Sequence, residues 1–175
     1  MRAWVRANYP GTKLAISEYN FGLGVTSDPR LQNVVEADAL GIFGREGLDL
    51  ATFWPDGSSP VPAAAFRVFR NYDGKHHGFG DRGVAAHSSD QRRVSVYAAR
   101  VGRRGALTVV VVNKATTTVR TALALRHART GRKATAFRYA GGGIQRLGAV
   151  RVRQHRVRLT VPPASVTLVR VPVRS

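Results

Sequence analysis

The pattern of apolar residues changes abruptly near the middle of this chain of 175 residues. Residues 1–74 alternate helix and strand signals, whereas from about Val84 onward short strands are separated by turns. The first pattern is typical of a parallel α/β unit and the second of an antiparallel β-sandwich. We therefore expect two structural units, 1–81 and 82–175.

The first unit contains only two strand-helix repeats. Strands are predicted at 14–17 and 48–54. Ser27 or Asp28 can cap the helix after the first strand, with Pro29 in its first turn, and the helix after the second strand covers about 63–72. A parallel sheet requires several neighbouring strands with both faces covered, and a (β/α)8 barrel needs roughly 250 residues. A further helix begins almost at Met1. We therefore expect this unit to be the tail of a larger domain whose beginning is missing.

The second unit is predicted to be all-β. Its seven candidate strands, separated by Gly-, Thr- or Pro-bearing turns, are 93–101, 106–114, 118–125, 133–140, 148–153, 156–161 and 165–171. The segment "VRVRQHRVRLTV" alternates apolar residues with arginine on both sides of Gln154-His155, as expected for a hairpin with one solvated face. This alternation assigns four arginines to solvent at an exposed sheet edge.

The positive charge is concentrated in the second unit. The net charge is +18, but residues 1–81 carry 8 Lys and Arg against 9 Asp and Glu (net −1), whereas residues 82–175 carry 20 against one acid, Asp90 (net +19). One interpretation is binding of nucleic acid or another polyanion. The other is a β-domain whose outward positions are filled by arginine, in which case nucleic acid binds only non-specifically.

Other features bear on the class of protein. There is no cysteine, so disulfides are excluded. No apolar run approaches the roughly 20 residues of a membrane helix, and the start lacks the hydrophobic core of an export signal. His76-His77, with Asp81 nearby, lacks a regular ligand set, and the glycine clusters lack the context of a phosphate loop. We therefore predict no metal, no cofactor and no membrane partner.

One ionisable residue is placed where chemistry is expected. Glu18 follows the first predicted strand and Trp54 ends the second, so both side chains are expected at one mouth of a parallel sheet. A carboxylate beside an aromatic ring suits sugar chemistry, because the ring stacks on a pyranose while the carboxylate attacks the anomeric carbon. Tyr19 and Asn20 are candidates to donate hydrogen bonds to Glu18. The alternative is a salt-bridged Glu18 and a Trp54 that fills the core.

Four separated blocks of sequence resemble a known family. They are "YPGTKLAISEYNFG", "EADALGIFGREGLDLATFW", "AAFRVFRNYDGK" and "FGDRGVAAHSSDQRRVSVYAAR". Together they resemble the carboxyl-terminal part of glycoside hydrolase family 44, which comprises endo-acting β-1,4-glucanases and xyloglucanases with a TIM-like barrel and a β-sandwich. The resemblance implies an α/β plus all-β fold: the last two strand-helix units of a TIM-like (β/α)8 barrel over 1–81, then an antiparallel β-sandwich over 82–175.

The resemblance also implies roles for individual residues. The glutamate of the family's "EYN" segment, the nucleophile of a retaining mechanism, falls on Glu18; the tryptophan of "ATFW", a wall of the sugar subsite, falls on Trp54. Tyr19 and Asn20 flank the nucleophile and, with Trp54, are expected to bind the substrate. The family's acid/base glutamate lies on an earlier barrel strand that this chain does not match. Asp56 is the one other acid near the predicted mouth, and since a retaining mechanism needs two carboxyl groups, we expect the chain alone to be inactive.

The implied partners are a β-glucan polysaccharide and the missing N-terminal part of the barrel, and the implied location is outside the cell. Two alternatives remain open. One is a non-catalytic carbohydrate-binding β-sandwich, which requires an exposed aromatic strip, although both tryptophans, Trp4 and Trp54, lie outside 82–175. The other is a polyanion-binding protein that uses the basic half.

Overall fold

The computed structural model describes residues 1–21, 28–55, 57, 61–102 and 105–173. Its helices are α1 (Arg2–Asn8), α2 (Pro29–Glu46) and α3 (Ala63–Arg70). Its strands are β1 (Ala15–Tyr19), β2 (Leu50–Phe53), β3 (Arg82–Val84), β4 (Val94–Arg100), β5 (Ala106–Asn113), β6 (Val119–Ala124), β7 (Lys133–Tyr139), β8 (Gln145–Arg153), β9 (Arg156–Val161) and β10 (Ser165–Pro172). Among these described helices, none has the length and apolar character needed to cross a membrane.

Capping residues fix both ends of helix α2. The side chain of Asp28 accepts a hydrogen bond of 2.8 Å from the backbone N–H of Arg30, and Pro29 occupies the first turn. At the other end Gly47 adopts the left-handed conformation, with φ at 61°, which allows its N–H to reach the last turn of the helix. The predicted start of this helix is therefore confirmed.

Strands β1 and β2 form a two-stranded parallel sheet, as expected for consecutive strand-helix units. β1 continues to Tyr19 instead of ending at Ser17, so Glu18 lies within the strand and not beyond it. Within the described residues, neither strand has a fully buried residue. One face of the sheet is open, and Leu50 at the start of β2 is 56% exposed.

The remaining eight strands form one antiparallel sheet in the order β3-β4-β5-β10-β7-β8-β9-β6. All seven strands predicted for this region are present, and the largest boundary error is at β8, which begins at Gln145 instead of residue 148. The edge strand β3 was not predicted, because the three residues of Arg82–Val84 are too few to show an alternating pattern.

Two clusters of apolar side chains lie on opposite sides of the central strands. On one side Val110, Val112, Val166 and Leu168 pack against α2 and α3. On the other side the alternate residues of β5 and β10 pack against the inner faces of β6, β8 and β9, so the sheet curls around this second cluster. β5 is therefore buried along its whole length.

The first cluster joins the two predicted units. Val34 and Ala37 of α2 and Val68 of α3 belong to the same core as Tyr97 and Val110 of the antiparallel sheet. A hydrogen-bonded ion pair adds to this contact, because Nζ of Lys114 lies 2.8 Å from Oδ2 of Asp38. The core thus crosses the predicted boundary at residues 81 and 82, and α2 packs directly on the antiparallel sheet.

Candidate functional site

An extra residue in β1 directs Glu18 to the open face of the parallel sheet. Between the paired positions Ile16 and Tyr19, β1 advances three residues while its partner β2 advances two. Such a β-bulge changes which side chains share a face. Ile16 and Tyr19 stay on the half-buried face, whereas Ser17 and Glu18 are both exposed, like Thr52 on the facing strand. Bulges of this kind are frequent beside active sites, where they re-aim a side chain.

Trp54 is placed on the same open face. It follows Thr52 by two residues, and alternate residues of an extended chain point to one side. Trp54 is 55% exposed. The backbone N–H of Trp54 donates a hydrogen bond of 2.9 Å to the carbonyl of Tyr19, and Nδ2 of Asn20 donates one of 2.5 Å to the carbonyl of Trp54. These bonds tie together the two strand ends that present Glu18 and Trp54.

Tyr19 lies on the other face, under helix α2. Its ring packs edge-on against Phe43 and Phe53, with ring centroids 5.2 and 5.5 Å apart. Its hydroxyl donates a hydrogen bond of 2.6 Å to Oε1 of Glu36. The expectation that Tyr19 donates a hydrogen bond to Glu18 is therefore corrected: the single phenolic proton goes to a different carboxylate.

Glu36 is a buried acid that the sequence analysis did not recognise as part of this region. It is 1% exposed, and its Oε2 is a buried oxygen without a hydrogen-bond partner among the described residues. Burial raises the pKa of Glu36, and the hydrogen bond from Tyr19 opposes that shift. The pKa of Tyr19 is also raised, first by burial and then by the hydrogen bond to Glu36. The one available signal was the apolar run around Glu36 in "VVEADAL".

The other acids near the two strands are located away from Glu18. Asp49 accepts a hydrogen bond of 3.2 Å from the backbone of Leu14, at the opposite end of the sheet. Glu46 pairs with Arg45 at the end of α2, with 2.9 Å between Oε1 and Nε. Asp56, the one other acid predicted near the mouth, lies outside the described residues. The described part of the chain thus offers Glu18 no second carboxyl group as a partner on this face.

The histidine pair contributes no metal site to this arrangement. Nδ1 of His77 lies 2.7 Å from Oδ2 of Asp73, an i, i+4 pair in a loop. Within the residues that the structure describes, no three His, Cys, Asp or Glu side chains gather into a group able to hold a metal ion. The described residues provide an exposed carboxylate, Glu18, and an exposed indole, Trp54, at the ends of two hydrogen-bonded strands.

Known proteins similar to this chain include a curated endoglucanase and two solved structures. Endoglucanase A of Paenibacillus lautus is 38% identical over 117 residues, which are 65% of this chain and 16% of that protein. The crystal structure of CelM2, a bifunctional glucanase-xylanase from a metagenome library, is 38% identical with a TM-score of 0.89, over 98% of this chain and 33% of that one. A family 44 xyloglucanase of Paenibacillus polymyxa, solved with xyloglucan, is 28% identical with a TM-score of 0.88, over 98% of this chain and 34% of that one.

These similarities involve part of each relative. The chain spans 33% and 34% of the two solved enzymes, and a smaller share of the curated endoglucanase. No family model matches the chain. Sequence identity and the superposed fold nevertheless agree over almost the whole chain, and the resemblance seen in the sequence blocks is confirmed. The chain is therefore related to the glycoside hydrolases of family 44 and corresponds to about one third of the length of their solved members.

Proposed function

We propose that this chain carries the nucleophile side of a retaining endo-β-1,4-glucanase that acts on xyloglucan or cellulose. The proposal is supported by the bulge in β1, because the bulge turns Glu18 toward the same open face as Trp54. A glutamate that only formed an ion pair at the end of a strand would not require a bulge that turns it toward the open face. The relatives bear glucanase and xyloglucanase names, and the block around Glu18 resembles the family's nucleophile segment.

In the proposed reaction, an oxygen of the Glu18 carboxylate attacks the anomeric carbon of a β-1,4-linked glucose unit. The bond from that carbon to the leaving oxygen breaks, and the leaving oxygen takes a proton from an acid that another part of the enzyme supplies. Water then releases the sugar from Glu18. Trp54 stacks on the apolar face of the pyranose, and Asn20 holds the Trp54 backbone in place.

The open sheet face suggests how the catalytic site is completed. Leu50 and Trp54 are largely exposed, and α1 contains no buried residue although it carries Trp4. In the proposed enzyme the remaining strands of a TIM-like barrel extend the β1–β2 sheet, cover Leu50 and Trp4, leave Trp54 open to the sugar at the barrel mouth, and bring the acid/base. The chain would then contribute the last two strand-helix units and a β-sandwich built from β3 to β10. By analogy with the resembled family, we propose that such an enzyme acts outside the cell.

The test begins with the chain as it stands. Pure protein is expected to release no reducing ends from xyloglucan or carboxymethyl-cellulose, because the proton donor is absent. A chimera is then made in which this chain replaces the equivalent third of CelM2, to which it is 38% identical. This chimera is expected to hydrolyse the glucan. Glu18→Gln should abolish that activity, whereas Glu46→Gln, at an exposed acid of α2, should leave it unchanged.

The chemical role of Glu18 is tested by rescue. In a Glu18→Ala chimera, azide can enter the space left by the carboxylate and attack the anomeric carbon directly. One displacement instead of two gives a glycosyl azide with inverted configuration. Recovery of activity with this product supports Glu18 as the nucleophile. The proposed function would be contradicted if the Glu18→Gln chimera kept full activity. It would also be contradicted if the isolated chain hydrolysed the glucan and its Glu18→Gln variant did so equally well.

A further inference from the structure

A continuous basic surface covers the outward side of four neighbouring strands, β6, β9, β8 and the start of β7. It is formed by six exposed side chains: Arg120, Lys133, Arg151, Arg153, Arg156 and Arg158. We call this surface the basic face. The sheet register makes its members cross-strand neighbours, because Arg153 pairs with Arg156 and Lys133 with Arg151. The intervening residues of the same strands, such as Val157 and Leu159, point into the core.

The basic face lacks compensating charge within the described protein. No acidic residue follows Asp90 in the sequence, and none of the six cations forms an ion pair with a described acid. Arg153 and Arg156 stand opposite each other across a two-residue turn, Gln154-His155, in which both residues have positive φ. Like charges directly opposite in a sheet destabilise it. An anionic ligand would remove this repulsion.

The shape of the basic face argues against nucleic acid. The β8–β9 hairpin is flanked by β6 and β7, so four strands spaced about 4.8 Å apart form a surface wider than the major groove, which is about 12 Å across. Proteins that bind single strands stack bases on exposed aromatic rings. In 82–173, however, the aromatic residues Tyr97, Phe137 and Tyr139 are all buried.

We propose that the basic face binds a linear polysaccharide that carries carboxylate groups and runs along the outer side of the strands. Arginine guanidinium groups donate paired hydrogen bonds to carboxylates, and arginines two residues apart along β8 and along β9 lie about 6–7 Å from each other, so neighbouring carboxylates of one polymer can be bound in series. The outer side of this curled sheet has no exposed aromatic ring among its described residues, which suits an extended polymer that needs neither groove insertion nor base stacking. This surface is separate from Glu18, so the inference does not depend on the proposed glucanase activity.

The probe for this proposal is polygalacturonate, titrated into the full chain at about 0.15 M ionic strength, where surface charges are screened beyond about 8 Å. Binding of the unchanged protein is expected. The variant R153Q/R156Q/R158Q should bind at least about tenfold more weakly, since it loses three charge-assisted contacts. The matched control R67Q/R70Q/R82Q removes the same charge at positions outside the basic face and should bind like the unchanged protein.

Other measurements separate the alternatives. Methyl-esterified polygalacturonate, which has the same backbone without the charges, should bind at least about tenfold more weakly than the free acid. The single variants R153Q and R158Q should each weaken binding, so the proposal remains testable if the triple variant does not fold. The proposal is overturned if a DNA duplex binds more tightly than polygalacturonate at the same salt, if the ester binds equally well, or if the control variant loses as much affinity as the basic-face variant.

Discussion

The hydroxyl of Tyr19 donates a partly buried hydrogen bond of 2.6 Å to Oε1 of Glu36, on the side of β1 that faces α2. Tyr19 is the next residue in β1, so its contact with α2 anchors the strand that presents Glu18. The other oxygen of Glu36 is buried without a partner in the described protein. Such an acid is costly when ionised, because burial disfavours the charge and one hydrogen bond only partly compensates.

The stability of the protein should therefore fall as the pH rises past the ordinary pKa of glutamate. Burial raises the folded-state pKa of Glu36 above its usual value of 4.5. The folded state then binds more protons than the unfolded state above that pH, and the free energy of unfolding decreases until the folded-state pKa is passed. Chemical denaturation from pH 4 upward measures this slope. Glu36→Gln cannot titrate and is expected to flatten it.

The control for this prediction is Glu46→Gln, at an exposed acid at the end of the same helix. It removes one carboxyl group from α2 without affecting the buried pair, so the decline in stability with pH should persist. An equal flattening in both variants, or a wild-type stability that rises between pH 5 and 8, would show that Glu36 is not the group responsible.

Removing the hydroxyl of Tyr19 should shift the titration of Glu36 further. Tyr19→Phe keeps the ring contacts with Phe43 and Phe53 and deletes the hydrogen bond that lowers the pKa of Glu36. The pKa of Glu36, followed by NMR of its carboxyl carbon, is expected to rise. Because the substitution leaves a buried acceptor unpaired, it should lower the free energy of unfolding by about 1–3 kcal/mol.

Tyr9→Phe is the matched control for Tyr19→Phe. The Tyr9 ring packs against Trp4, with centroids 5.6 Å apart, and the residue is exposed. Its substitution should change the free energy of unfolding by no more than about 0.5 kcal/mol and leave the pKa of Glu36 unchanged. If the two substitutions lowered the free energy of unfolding equally, the hydrogen bond to Glu36 would make no particular contribution to stability.

Local signals account for the parts of the fold that the sequence predicted well. Asp28-Pro29 starts α2, and the alternation around Gln154-His155 correctly gives the β8–β9 hairpin, because capping and turn chemistry act within a few residues. The bulge before Tyr19 depends on register with a strand more than thirty residues later, and the burial of Glu36 depends on packing from both sides of α2. Neither leaves a periodic trace in the sequence.

Asn33 is a second contact of this long-range kind. Its Oδ1 accepts a hydrogen bond of 2.8 Å from the backbone N–H of Ala65 in the first turn of α3, a helix with no side-chain cap of its own. Its Nδ2 donates to the carbonyl of Pro29 at 2.7 Å and to the hydroxyl of Tyr139 at 3.2 Å. One buried amide thus joins α2, α3 and β7.

Asn33→Ala should lower the free energy of unfolding by about 1–3 kcal/mol, because it leaves buried donors and acceptors unpaired. Thermal and urea denaturation measure the loss. The control is Asn8→Ala: Nδ2 of Asn8 donates to the carbonyl of Trp4 on exposed α1, so its removal should cost about 0.5 kcal/mol or less. If Asn33→Ala were as mild as this control, water would have to replace the lost contacts.

Helix α2 approaches the antiparallel sheet closely at Gly41. A Cβ atom built there would lie 2.3 Å from two ring carbons of Tyr97, so the ring occupies the space of a side chain. In this position the Tyr97 hydroxyl donates a hydrogen bond of 2.6 Å to Oδ1 of Asp38, whose other oxygen binds Lys114. The glycine therefore permits a polar contact that holds α2 on the sheet.

Gly41→Ala should lower the free energy of unfolding by about 1–3 kcal/mol, although alanine is the better helix former, because the methyl group must displace a buried ring. Gly44→Ala, one turn later in the same helix, is the matched control: no described atom lies within 4 Å of a methyl group added there, so propensity alone should stabilise the protein by up to about 1 kcal/mol. The two substitutions thus have opposite signs in urea denaturation. If Gly41→Ala also stabilises the protein, α2 does not pack on Tyr97 as closely as described. The argument that a fixed α2 anchors Tyr19, and through it the strand that carries Glu18, would then lose part of its basis.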